Sequence, residues 1–120
     1  MNPSKVFLAS TIGDVLVVEL VGVVSSLADD SINRELDSVR TRLRSGGQAK
    51  VVIDLGQVAY FGSSMLEAIR AIWNELTPHN GRLVLCNASE VGREIIQISK
   101  FDHLWPLVES RADALKLMQA

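Results

Sequence analysis

The sequence predicts an α/β fold: one mixed β-sheet with helices packed mainly on one face, in the order β-β-α-β-α-β-α-β-α. Three observations carry this. Near the start, two segments rich in apolar and β-branched residues flank Gly13-Asp14, a hairpin signature. After them, short apolar runs alternate with segments whose apolar residues recur at helical spacing. The 120 residues carry no Pro/Gly/Ser-rich linker, low-complexity tract or internal repeat, so residues 1–120 read as one domain.

The first strand is expected around Val6-Phe7-Leu8 and Thr11-Ile12. The second is Val15-Leu16-Val17-Val18-Glu19-Leu20-Val21, apolar enough to be central and buried on both faces. Ile32, Leu36, Val39 and Leu43 then recur every three or four residues, one helical stripe. Asp29 and Asp30 stand at its front and Arg40, Arg42 and Arg44 at its back, as the helix dipole favours, and Gly46-Gly47 is the stop. Val51-Val52-Ile53-Asp54-Leu55 is a buried strand, and Gly56 to Phe61 a connection. Met65, Ile69, Ile72, Trp73 and Leu76 form the second stripe, ended by Pro78 and Asn80-Gly81. Leu83 to Cys86 is the fourth strand, and Val91, Ile95, Ile96 and Ile98 mark a shorter helix. Leu104 to Val108 reads as a strand that Pro106 confines to the sheet edge, and Ala112, Leu115 and Met118 as a terminal helix. Core positions are expected at Val17, Leu36, Val52, Ile53, Ile69, Leu83 and Leu85.

Composition narrows the function. Hydrophobic residues make up 48% and charged residues 22%, a globular mixture. A net charge of −2 argues against a phosphate-tracking nucleic-acid binder. A lone cysteine rules out an internal disulfide and fits a reducing compartment. The first residues do not read as a signal peptide, and Val15 to Val24, interrupted by Glu19, falls short of the ~20 residues a spanning helix needs. The expectation is a cytoplasmic protein with no direct membrane insertion.

Catalytic and cofactor motifs are missing. The eight glycines never form GxGxxG or GxxxxGK[ST], so neither a dinucleotide fingerprint nor a P-loop is present. His79 and His103 lie in expected loops without a cysteine at ligand spacing, so no metal site is expected. Gly62-Ser63-Ser64-Met65-Leu66 follows a strand and opens a helix, but Leu66 stands where a nucleophile elbow requires its second glycine. Cys86 sits between apolar neighbours in a strand, the setting of a core residue rather than of a reactive thiol. No enzyme and no cofactor are expected.

What remains is the junction Val58-Ala59-Tyr60-Phe61-Gly62-Ser63-Ser64-Met65-Leu66. In its plain reading, Ser63 or Ser64 is an N-cap. In its sharper reading a phosphoryl group on one of them meets the positive end of the helix and changes the local charge by about −2 without unfolding the domain. Met65 is placed either on a contact face with Phe61 or beneath the helix with Ile69 and Ile72.

Val51-Val52-Ile53-Asp54-Leu55 running into this junction resembles the STAS domain of the anti-sigma factor antagonist family. So do Leu20-Val21-Gly22 at the end of the second strand, Asn80-Gly81-Arg82-Leu83-Val84-Leu85-Cys86, and Ile98-Ser99-Lys100-Phe101 with Leu104. The resemblance extends over nearly the whole chain. It departs at Gly62, where the family usually has Asp, at Met65, where it usually has Gly, and at Ser25, where it often has Asp. It implies a non-enzymatic regulatory module, with Ser63, and Ser64 as second choice, as the phosphorylated residue. The partner would be an anti-sigma factor acting as serine kinase, or another signalling protein. The contact face it implies comprises Phe61, Gly62, Ser63, Ser64 and Met65 with Val23 and Ser25. STAS domains also serve as non-phosphorylated cytoplasmic accessory subunits of lipid or anion transport systems, the second reading.

Overall fold

The structure, a computed structural model, describes residues 6–22, 30–46, 49–58 and 62–119. Strands β1 (Phe7–Ile12) and β2 (Val15–Leu20) form the expected antiparallel hairpin, and Gly13 supplies the positive φ of +61° that its tight turn needs. Strands β3 (Lys50–Asp54), β4 (Arg82–Cys86) and β5 (Leu107–Val108) are then added in parallel. The spatial order β1-β2-β3-β4-β5 is therefore the order in the chain. Helices α1 (Asp30–Gly46), α2 (Ser63–Leu76) and α3 (Glu90–Ile98) follow β2, β3 and β4, and α4 (Arg111–Gln119) follows β5.

This order explains the layering. Right-handed crossovers that all progress in one direction across a sheet put their helices on the same face. The stripes of α1 and α2 and Ile96 of α3 accordingly share one core with Leu16, Val18, Val51, Ile53, Leu83 and Leu85. Helix α4 follows the last strand, so no crossover rule binds it. Its Ala114 and Met118 cover the opposite face, against the row Val17, Val52 and Val84 that the strand register aligns. All seven expected core positions are buried.

Three elements differ from the sequence reading. The last strand is only Leu107–Val108. Leu104 is 47% exposed at the end of a 3₁₀ turn, whereas Trp105 is fully buried, stacked on Phe101 at 4.8 Å and edge-on to Trp73 at 6.5 Å. Pro106 joins the sheet through its carbonyl, which accepts the Leu85 N–H at 2.9 Å. In α4 Ala112 is exposed, and the core face is carried by Ala114 and Met118, one helical turn apart. In α3 Ile98 is 80% exposed and Val91 48% exposed, so only part of that apolar stripe reaches the core.

A charged clamp joins α1 to α2. Arg44 Nε and Nη2 bind both oxygens of Glu75 at 2.8 and 2.7 Å, and Arg40 Nε adds 2.9 Å. Hydrogen bonds and charge from Arg44, then Arg40, hold the Glu75 carboxyl at about 2 against an ordinary 4.5, although desolvation opposes them. A depressed folded-state pKa stabilises above the unfolded value and ceases to do so as pH falls through the folded one. The clamp is thus at full strength above about pH 4.5 and is lost towards pH 2. Because both arginines reach solvent, Glu75→Gln should cost only about 1 kcal/mol at pH 7. The same substitution should cost nearly nothing at pH 2, as urea unfolding at the two pH values would show.

Candidate functional site

The parallel strands β2, β3 and β4 end together, with Glu19, Asp54 and Cys86 side by side in the register. The junction into α2 is built from the middle one. Leu55 N–H bonds the Cys86 carbonyl at 2.9 Å, continuing the ladder, and Val58 N–H turns back to the Leu55 carbonyl at 3.2 Å. Leu55 and Val58 are both buried and pin the loop from below.

Gly62 is the N-cap of α2, in extended conformation at φ −111° and ψ −164°. Its carbonyl accepts the Met65 N–H at 3.1 Å and the Leu66 N–H at 3.4 Å. This corrects the reading of Ser63 or Ser64 as the cap. A capping side chain must come from the residue before the first helical one, and both serines already lie inside the helix. The first turn of α2 contains no acidic residue, so no carboxylate side chain in it opposes the positive end of the dipole. Gly62 and Ser63 are exposed and Ser64 is half-buried. Among the described residues, none besides its chain neighbours would come within 4 Å of a Cβ added at Gly62.

Met65 is fully buried, which settles its two placements and corrects its inclusion in a contact face. It shares the i, i+4, i+7 spacing of Ile69 and Ile72, and that side of α2 faces the sheet core. Phe61, Val23 and Ser25 lie outside the described residues. What the structure brings together at the surface is therefore Gly62, Ser63 and Ser64, supported from beneath by Met65 and Leu66.

Under the loop lies a polar hub that the sequence reading quoted only as the end of a strand. Asp54 is 5% exposed. Its Oδ1 accepts the Gly56 N–H at 2.9 Å and Asn87 Nδ2 at 3.1 Å; its Oδ2 accepts Arg111 Nε at 3.0 Å and pairs with Arg111 Nη2 at 2.9 Å. Burial pushes the Asp54 carboxyl up. The bonds from Gly56, Asn87 and Arg111, with the Arg111 charge, outweigh that and hold it below its usual value. Arg111 also reaches Glu19 at 3.7 Å. The first turn of the β3–α2 loop, the left-handed Asn87 (φ +60°) after β4 and the start of α4 are thus tied to one carboxylate. Beside it, burial and the Asp54 charge push the Cys86 thiol up to about 12, the state of an unreactive core residue. Among the described residues no cluster of three or more His, Cys, Asp or Glu side chains could hold a metal ion. Nor is any described helix long and apolar enough to cross a membrane.

Comparison with known proteins agrees with this architecture. The STAS domain family model matches residues 7–114. BtrV of Bordetella bronchiseptica, which carries the provisional name of an anti-sigma factor antagonist, is 32% identical over 103 residues, 86% of this chain and 85% of its own. Three solved structures show the same fold at lower identity. One, from Thermotoga maritima and provisionally named an anti-sigma factor antagonist, has a TM-score of 0.82 at 16% identity, covering 95% of both chains. The anti-sigma factor antagonist SpoIIAA in its unphosphorylated form has a TM-score of 0.78 at 18% identity, covering 94% of this chain and 96% of its own. SpoIIAA of Bacillus in its phosphorylated form has a TM-score of 0.72 at 19% identity, covering 93% of this chain and 98% of its own. With the family model spanning nearly the whole sheet and its helices, the chain belongs to the STAS domain family.

Proposed function

We propose that the protein is a non-enzymatic regulatory binding module of the anti-sigma factor antagonist kind, docking on a protein partner through the start of α2, with Ser63 as its phosphorylated switch. The observation that carries this is the setting of Ser63. It is exposed, it opens a helix of 14 residues, its neighbour at the cap has no side chain, and the first turn carries no acid. A phosphoryl group there is favourable to the helix and hostile to a docked surface, so charge changes without refolding. The likeness to BtrV, named as an antagonist, and to SpoIIAA, solved with and without phosphate, supports the same reading. The partner in this reading is an anti-sigma factor that acts as a serine kinase.

The test is binding of that partner to wild type, Ser63→Ala and Ser63→Glu, with mass spectrometry of the wild type after incubation with the partner and ATP. Ser63→Ala should bind as wild type does. Ser63→Glu should bind at least ~10-fold more weakly, about 1.4 kcal/mol. Equal binding by all three, with no phosphate on Ser63 or Ser64, would remove the switch. It would leave the non-phosphorylated accessory role in transport as the better account.

A further inference from the structure

The opposite end of the sheet carries a second surface, independent of the α2 junction. Strand β1 is an edge strand. The Val21 N–H to Val6 carbonyl bond at 2.8 Å and the Phe7↔Leu20 register fix which groups it spends on β2. In an antiparallel pair, bonded and non-bonded residues alternate. Even-numbered residues of β1 therefore bond inward, while Phe7, Ala9 and Thr11 direct their N–H and C=O groups outward. Beside this edge runs a groove of about 350 Å³ between β1 and α1, lined by Phe7 and Ala9 on one side and Arg34, Glu35, Ser38 and Arg42 on the other.

Two features of the edge are complementary to themselves. Glu35 sits at one end, its Oε1 accepting the Val6 and Phe7 N–H groups at 2.7 and 3.1 Å. Arg42 sits at the other, its Nη2 on Thr11 Oγ1 at 2.8 Å and its Nη1 on the Ala9 carbonyl at 3.4 Å. Arg42 pairs with no carboxylate among the described residues. On the other face of the strand, the large apolar side chains of Leu8 and Ile12 are 45% and 42% exposed.

We propose that the β1 edge pairs antiparallel with the β1 edge of a second copy of this chain, about a two-fold axis through Ala9, joining two sheets into one. Phe7 then lies opposite Thr11 of the other copy, so Arg42 of each comes beside Glu35 of the other. The Ala9 N–H and C=O groups exchange bonds with their equivalents. Thr11 N–H reaches the Phe7 carbonyl, and Glu35 keeps its hold on the Phe7 N–H. On the exposed face Leu8 lies opposite Ser10 and diagonal to Leu8 and Ile12 of the other copy, within reach of long side chains. The contact is isologous, so it closes as a dimer and does not propagate. A strand edge that pairs with no other strand among the described residues, reciprocal charge and matched apolar positions favour this occupant over an unrelated peptide.

Sedimentation velocity of the full chain from about 1 μM to about 1 mM reads the association directly. Wild type should shift from monomer to dimer. Ala9→Pro removes an outward N–H and no β1–β2 bond, and should remain monomeric with an unchanged circular dichroism spectrum. Glu35→Arg and Arg42→Glu each set like charges opposite one another at positions 35 and 42 of the two copies, so each alone should self-associate at least ~10-fold more weakly than wild type. An equimolar mixture of the two should recover a dimer. A wild type that stays monomeric throughout overturns the proposal. So does a dimer that survives Ala9→Pro, or a mixture that associates no better than its components; if Ala9→Pro fails to fold, the charge pair alone decides.

Discussion

Exchanging Ile69 for alanine is expected to lower the unfolding free energy by about 2–5 kcal/mol. Ile69 is fully buried at the middle of the α2 stripe, with Met65, Ile72 and Leu76 equally buried around it. Those neighbours pack over the sheet residues Val51, Ile53, Leu83 and Leu85 in the same cluster. Collapse into the resulting void would require α2 to approach a ladder held by parallel backbone bonds, and α2 is also clamped to α1 through Glu75. Relaxation is therefore restricted, which places the cost in the upper half of the range. Urea unfolding with an unchanged slope measures it. Ile98→Ala, on a side chain 80% exposed, is the matched control and should stay within about 0.5 kcal/mol of wild type. A loss at Ile69 no larger than that of the control would place the α2 stripe at the surface.

Asp54→Ala should cost about 2–4 kcal/mol. The loss is not mainly that of an ion pair. Removal of the carboxylate leaves the Gly56 N–H and Asn87 amide without their acceptor, and leaves Arg111 only the longer contact to Glu19. Arg111 is partly exposed and recovers some solvation, which keeps the figure below that of a fully enclosed pair. Asp54→Asn retains an acceptor oxygen and should cost less. The pH dependence has a definite sign. The folded carboxyl lies below its ordinary 3.8, so its contribution is complete above that value and declines as the solution is acidified further. Arg111→Ala combined with Asp54→Ala should be less damaging than the two separate losses added, since both remove one network. Full additivity in that cycle would show that the two side chains do not act together.

The elements were readable because their signals are local. The Gly13-Asp14 turn, the Ile32-Leu36-Val39-Leu43 stripe and the Val51–Leu55 run each state their structure within one or two turns of chain. What could not be read locally are choices between faces. Met65 has helical spacing and a plausible surface role, and only the position of the sheet beneath α2 shows that it points inward. Ala112, Leu115 and Met118 form a credible stripe, yet the face α4 presents is fixed by where β5 leaves it, and Ala114 is what lands on Val84 and Cys86. The cap lies one or two residues before the serines that the sequence offers for it, because a glycine and two serines in a row present several starting points of similar energy. The Asp54 hub needed Asn87 and Arg111, the latter 57 residues distant. An acidic residue closing the apolar run Val51-Val52-Ile53 is its local trace.

The agreement between chain order and spatial order bears on how the protein is made. Each parallel strand pairs with the one synthesised before it, so no strand has to be inserted between two that are already joined. As the chain emerges from the ribosome the sheet can lengthen at one edge only, and each closure spans a single strand–helix unit rather than the whole chain. Asp54 is the exception to that progression. Its carboxylate is laid down when β3 forms, and the cation that balances it arrives with α4, the last element of the fold.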